Sequence, residues 1–250
     1  GYIVFLTIIN AKGWHQGSPF TDFIAKCSPT LLVSERCKQQ ISTLTTNNFN
    51  QMEKESNTNC MEETATMPSY FPCIKSSESH PLADWLYLKS VITSSPELRM
   101  MTETYRKRLA ISKQFADQYK PEMPAITVSA LMDGYGRQLA NFLKPTYMLQ
   151  LDFDHVKKED MEQLIQLVRG DSHTMVEYVT VSGRGFRVFC AYRPVDDDDI
   201  SVLELFDTVL QKAMAYYTQL LGIAPDKQCV DITRCAGLAY DPDAYFRWDA

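Results

Sequence analysis

Tyr147-Met148-Leu149-Gln150-Leu151-Asp152-Phe153-Asp154-His155 is the stretch whose reading decides the fold. Tyr147, Leu149, Leu151 and Phe153 are apolar, and Gln150, Asp152 and Asp154 alternate with them. A period of two is the signature of a β-strand with one face turned to a core. Asp152 and Asp154 therefore project from the same face at the C-terminal end of that strand. Two carboxylates held close repel each other unless positive charge lies between them, and a hard divalent cation, Mg²⁺ or Mn²⁺, meets that need. The plainer alternative is a solvated Asp-x-Asp at a strand exit.

Downstream the pattern stays regular. Lys157–Arg169 carries Met161, Leu164, Ile165, Leu167 and Val168 at helical spacing, with Gly170 as a stop. Met175–Val181 reads as a strand, Ser182-Gly183-Arg184-Gly185 as a turn, and Phe186–Tyr192 as a second strand. Ile200–Leu221 reads as a long helix ended by Gly222, and Gln228–Thr233 as a last strand. The order β-α-β-β-α-β is that of a ferredoxin-like (RRM-like) α+β core. In that fold the first strand lies between the third and the fourth, and both helices cover one face of the sheet. The other face is left open, and Asp152, Asp154, Arg187 and Asp231 meet at one edge of it. Three carboxylates and a guanidinium suit phosphoryl or nucleotidyl transfer, with metal ions held by Asp152, Asp154 and Asp231. Ser182, Gly183, Arg184 and Gly185 offer a hydroxyl and uncrowded backbone N–H groups to a triphosphate, and Arg187 adds a bidentate charge. An ordinary glycine-rich hairpin is the plainer reading of that turn.

Upstream the signals are weaker. Tyr2–Ile9 reads as a strand, and residues 39–79, rich in Ser, Thr, Asn and Glu, as a flexible polar insertion. The expected organisation is an N-terminal α/β extension over residues 1–95 and a core over residues 96–250. Leu82–Ile92 and Pro96–Phe115 read as helices, the second carrying Arg99, Arg106, Lys107, Arg108 and Lys113. Such a cluster is either a solvated face or a nucleic-acid contact. Lys120-Pro-Glu-Met-Pro-Ala-Ile-Thr-Val-Ser leads into a short strand.

The net charge of −6 gives no global basic field, although a local basic site remains compatible with it. The cysteine count, seven, is odd and includes no Cys-x-x-Cys pair, so free thiols in a reducing, cytoplasmic setting are expected rather than disulfides or zinc. Val4–Ile9 is too short to span a bilayer, and no basic flank marks a signal peptide. No Gly-x-x-x-x-Gly-Lys-[Ser/Thr] occurs, which excludes a P-loop ATPase within these residues.

Three segments in order carry a resemblance: Asp152-Phe-Asp154; Ser182-Gly-Arg-Gly-Phe-Arg187-Val-Phe; and Asp231-Ile-Thr-Arg234-Cys-Ala-Gly-Leu-Ala-Tyr-Asp241. They resemble the three motifs of the archaeo-eukaryotic primase superfamily, most closely the VirE N-terminal type of primase-like domain found in bacterial mobile elements and phage-derived proteins. The resemblance runs from about Leu82 to Phe246. It implies template-directed nucleotide addition on DNA from nucleoside triphosphates, dependent on Mg²⁺ or Mn²⁺, often beside a helicase-like ATPase module. By the same resemblance Asp152, Asp154 and Asp231 are the metal-binding catalytic acids, and Ser182, Arg187 and Arg234 serve the phosphates. The family's second motif is usually Ser-x-His, and Arg187 stands in its place here. An arginine binds phosphate but cannot donate a proton near neutral pH. A degenerate module that only binds nucleotide or nucleic acid, and a metal-dependent nuclease, are the alternatives.

Three lesser features complete the reading. His155 is expected to have a helix-entry or capping role, the alternative being a ligand adjoining Asp154. Arg234 and Asp241 form either part of the site or a structural salt bridge. Asp196–Asp199 reads as a solvated helix N-terminus.

Overall fold

A computed structural model describes residues 66–193, 200–228 and 230–249, all in one compact unit. Tyr2–Ile9, most of the stretch read as an insertion, Asp196–Asp199, and Cys27, Cys37, Cys60 and Cys229 lie outside the described residues.

The first strand, β1 (Ser69–Phe71), falls inside the stretch expected to be a flexible insertion. Phe71 is fully buried, so this end of the stretch is core. β1 pairs with β2 (His80–Pro81) on one side. Helix α1 (Trp85–Ser94) starts where the Asp84 carboxylate accepts from the Tyr87 N–H at 2.6 Å. Helix α2 (Pro96–Ile111) is capped by Ser95 and has proline at its first position, where no N–H is needed. The single helix expected over Pro96–Phe115 is broken at Ser112. That residue is extended, and its hydroxyl accepts from the Phe115 N–H to start α3 (Lys113–Asp117).

Three short strands follow: β3 (Ala125–Thr127), β4 (Ala130–Met132) and β5 (Phe142–Pro145). β3 joins the free side of β1, and β4 pairs with β5.

The deciding stretch forms β6 (Met148–Phe153). It is bracketed by two non-glycine residues at positive φ, Tyr147 (57°) and His155 (58°), so the chain turns sharply at both ends. Helix α4 (Lys158–Gly170), β7 (Thr174–Val179), β8 (Phe186–Ala191) and α5 (Val202–Leu221) follow as expected. α5 opens on a capping box between Ser201 and Glu204 and closes on Gly222 at φ 70°, a left-handed cap that glycine adopts without strain. β8 pairs antiparallel with β6 and with β7. Leu149, Leu151, Phe153, Phe186, Val188 and Cys190 pack beneath α4 and α5, against Leu164, Ile165, Val168, Phe206, Leu210 and Tyr217.

Two expectations fail here. The described residues of Gln228–Thr233 form no strand. Asp226 donates its N–H to the Asp152 carbonyl, and its carboxylate then accepts from the Gln228 N–H. Asp231 accepts from the Thr233 hydroxyl, and its carbonyl from the Arg234 N–H. Such aspartate-centred turns satisfy the backbone locally and draw the chain out of a ladder. The fourth position in the sheet is taken at the opposite edge by β10 (Tyr245–Phe246), which pairs with β7, giving the order β10-β7-β8-β6. β9 (Ala236–Gly237) joins the other sheet beside β3. The molecule is a mixed α+β structure of antiparallel sheets and helices.

Nor is the second face of the β6 sheet open. Met148, Val176, Tyr178 and Phe189 pack against Leu88, Ile92, Leu98, Met123, Ile126 and Leu238, so α1, α2 and β3 cover it. Among the described residues no helix is long and apolar enough to cross a membrane.

Glu177 on β7 is fully buried and bridged by Arg169 of α4 at 2.7 Å. Burial pushes its carboxyl up to about 7, against the pull of Arg169. Between about pH 4.5 and 7 the folded chain thus keeps a proton that the unfolded chain has released, so stability should fall as pH rises through that window and then level off. Glu177→Gln should flatten the dependence and stabilise the fold above about pH 8, by an amount on the order of 3 kcal/mol. Urea unfolding at several pH values checks this, and an unchanged slope would refute it.

Candidate functional site

Strand register builds the centre of the site. Asp152 on β6 stands opposite Arg187 on β8, which stands opposite Tyr178 on β7. The three side chains form one row across the sheet, on the face away from α4 and α5. One terminal nitrogen of Arg187 bonds the Asp152 carboxylate, and the other donates to the Tyr178 hydroxyl at 3.0 Å and the Gly237 carbonyl at 2.8 Å. Asp152 and Arg187 are 7% and 8% exposed, so this is a buried ion pair. Burial alone would lower the pKa of Arg187, but Asp152 and Tyr178 hold it well above the ordinary value. A sequence reading of Arg187 as a phosphate clamp misses this: its guanidinium is turned inward, onto Asp152.

Asp154 lies just past the strand end, with its side chain reaching solvent. Partial desolvation and the neighbouring charge of Asp152 raise its pKa, while Arg187, Lys120 and His155 pull the other way. His155 is not the cap of α4. The N-cap of α4 is Lys157, and His155 instead occupies the turn and faces the cavity.

A cavity of about 1230 Å³ opens here, and Asp152, Asp154, Asp231, Arg187, Arg234 and Lys120 line it. Asp231 is thus in the cavity wall although its segment is not a strand. A smaller hollow of about 340 Å³ shares Asp152, Asp154, His155 and Arg187, and is walled by Tyr105, Leu109, Met123 and Val181. The acids stand where the two spaces join.

Ser182 and Arg184 border the small hollow, not the wide cavity. Within the turn, the Arg184 N–H bonds the Ser182 hydroxyl and the Gly183 N–H bonds the Thr180 carbonyl, so two of the donors expected for phosphate are already used. Gly183 adopts φ 67° beneath Arg106. Gly185 has another duty, since its Cα lies against the carbonyl of Phe153, where a side chain has no room. Asp241 stands apart from the site. It is buried and accepts from the Val179 and Asp243 N–H groups, and it makes no salt bridge with Arg234.

Among the described residues no group of three or more His, Cys, Asp or Glu side chains is placed to hold a metal ion. The donors at hand are Asp152 and Asp154, with Asp231 on the same wall. Mg²⁺ is commonly held by one or two carboxylates completed by substrate phosphates and water. Burial first, and then the charge of Asp152, raises the pKa of Asp154; a cation there would offset the second of these, while Arg187 already pairs with Asp152.

Sequence reasoning passed over Tyr178 and Gly237, which hold Arg187, and over Tyr135 and Arg137, which line the wide cavity. The glycine spacing of Gly134-Tyr135-Gly136-Arg137 was the available signal.

No curated protein and no solved structure matches the chain. A family model does, described as BT4734-like, N-terminal domain, over residues 118–246. The match runs from just before β3 through β10 and takes in every acid of the cavity named above. Because it covers just over half of the 250 residues, the chain belongs to the BT4734-like, N-terminal domain family.

Proposed function

We propose that the cavity carries out divalent-metal-dependent nucleotidyl transfer on a nucleic-acid template, as a primase or primase-polymerase does. One observation carries the reading: Asp152, Asp154 and Asp231 line a single cavity with Arg187, Arg234 and Lys120. Asp152 and Asp154 would hold the ion, with Asp231 elsewhere in the lining of the same cavity. When bound, Mg²⁺ or Mn²⁺ lowers the pKa of an attacking hydroxyl and neutralises a leaving pyrophosphate. Lys120 and Arg234 supply positive charge for phosphates. Arg187 acts one step back, fixing the Asp152 carboxylate by a charge-assisted bond.

A second reading is favoured by a separate observation. Arg187 already neutralises Asp152, and the acids do not converge on one point. This suits a module that binds nucleotide or nucleic acid without turnover.

The test is extension of a labelled primer on a template with Mn²⁺ and either ribo- or deoxynucleoside triphosphates. Lengthening is expected, and it should fall by at least about a hundredfold in Asp154→Asn, whose exposed side chain is not needed for folding. Calorimetric titration of Mn²⁺ should show binding that Asp154→Asn weakens. Nucleotide binding without extension would support the second reading. Shortening of the primer without triphosphates would point to a nuclease.

A further inference from the structure

Between β4 and β5 the chain makes a loop, Asp133-Gly134-Tyr135-Gly136-Arg137, that reaches the wall of the wide cavity. Tyr135 is 81% exposed, the most exposed large apolar side chain of the described residues. Exposure of this kind usually accompanies a floppy loop, but this one is pinned. The Asp133 carboxylate accepts from the Tyr135 N–H at 2.8 Å and from the Asn141 side-chain amide at 2.9 Å. The Asp133 N–H bonds the Asn141 carbonyl, and the Ser79 N–H bonds the Gly134 carbonyl. Gly134 and Gly136 flank the tyrosine at φ 98° and 133°, backbone that residues with side chains rarely adopt.

The fold thus fixes the backbone beneath an aromatic ring and leaves the ring in water, at a cost in exposed apolar area. The same cavity carries Lys120 and Arg234, together with Lys113 and Lys75, which pair with Asp117 and Glu122, and the carboxylates of Asp152, Asp154, Asp226 and Asp231. Its volume of about 1230 Å³ is well beyond what one nucleotide fills, and it is largely polar in character. An exposed aromatic ring close to cations such as Lys120 and Arg234 is the arrangement by which single strands are held: phosphates follow the cations and a base stacks on the ring.

We propose that Tyr135 is a stacking platform for a base of single-stranded nucleic acid, whose phosphates pass Lys120 and Arg234 in the wide cavity. The assignment rests on the nucleic-acid reading given above and adds to it the residue that meets a base. Stacking on a neutral ring has no sequence code, so the site tolerates any base.

The test measures binding of a fluorescein-labelled oligothymidylate of about twelve nucleotides, and of an abasic strand of equal length, by anisotropy at several salt concentrations. Tyr135→Ala should weaken oligothymidylate binding roughly tenfold and leave the abasic strand unchanged, with the salt slope unaltered. Tyr135→Phe should bind as the wild type does. Lys120→Ala should weaken both strands alike and reduce the salt slope by about one. Tyr135→Ala binding oligothymidylate as tightly as the wild type would overturn the stacking role and leave the functional reading standing. Equal losses on the two strands would overturn it too. A wild-type protein that bound neither strand would bring down both.

Discussion

Asp152→Ala should lose about 3–5 kcal/mol of stability and, under the proposed function, all measurable nucleotidyl transfer, and the two losses should prove separable. The stability loss follows from what remains. Arg187 cannot shed its proton, and without Asp152 it is a buried charge whose remaining bonds reach only the Tyr178 hydroxyl and the Gly237 carbonyl. Removing both charges is a different matter, because a buried ion pair repays little more than its own desolvation. The double variant Asp152→Leu/Arg187→Met should therefore fold to within about 1–2 kcal/mol of the wild type while remaining inactive. Urea unfolding of the two variants and of wild type, with primer extension alongside, makes the comparison. A double variant as unstable as Asp152→Ala would mean that packing, not charge, dominates this row.

Gly185→Ala should be nearly as damaging for a steric reason. A Cβ there would run into the Phe153 carbonyl oxygen and stand 3.0 Å from the Asp154 Cα. Both obstacles are backbone, so no flexible side chain can swing away. A cost of about 3 kcal/mol or more is expected, seen as a drop in Tm of roughly 6–12 °C for a domain of this size. The relief available is to push the end of β6 aside, which displaces Asp154, so metal binding should weaken in whatever fraction still folds. Gly170→Ala is the control. Nothing lies within 4 Å of its Cβ position at the end of α4, and alanine there should be neutral or slightly stabilising. A drop in Tm for Gly170→Ala equal to that for Gly185→Ala would deny the steric account.

The part of the fold that could be read from the sequence is the part with sustained periodicity. Six-residue strands such as β6 and β8 alternate long enough to declare themselves, and α4 and α5 present apolar stripes with glycine near or just past their ends. The covering layer could not be read in this way. β1 has three residues and β9 two, too few to show a period, and they are brought together from opposite ends of the described chain. Gln228–Thr233 misled for the opposite reason. Val230 and Ile232 alternate as a strand would, yet only Ile232 of the two is buried, and Asp226 before the segment and Asp231 within it set turns that the apolar pattern does not reveal. For the site, sequence order was enough to gather Asp152, Asp154 and Arg187. The inward orientation of Arg187 depends on the register that sets it between Asp152 and Tyr178.

The strand end between the two acids of Asp152-Phe153-Asp154 has a thermodynamic consequence. Asp152 is locked by Arg187 within the sheet, so its side-chain freedom is surrendered when the protein folds. Asp154 stands beyond the last strand residue, before the positive-φ turn at His155, with its side chain exposed. Under the proposed function the entropy of organising the site would be divided in time: one carboxylate is ordered by folding and the other would be ordered by the ligand. Affinity for that ligand would then be governed at Asp154, where the ordering cost is still outstanding when the ligand arrives.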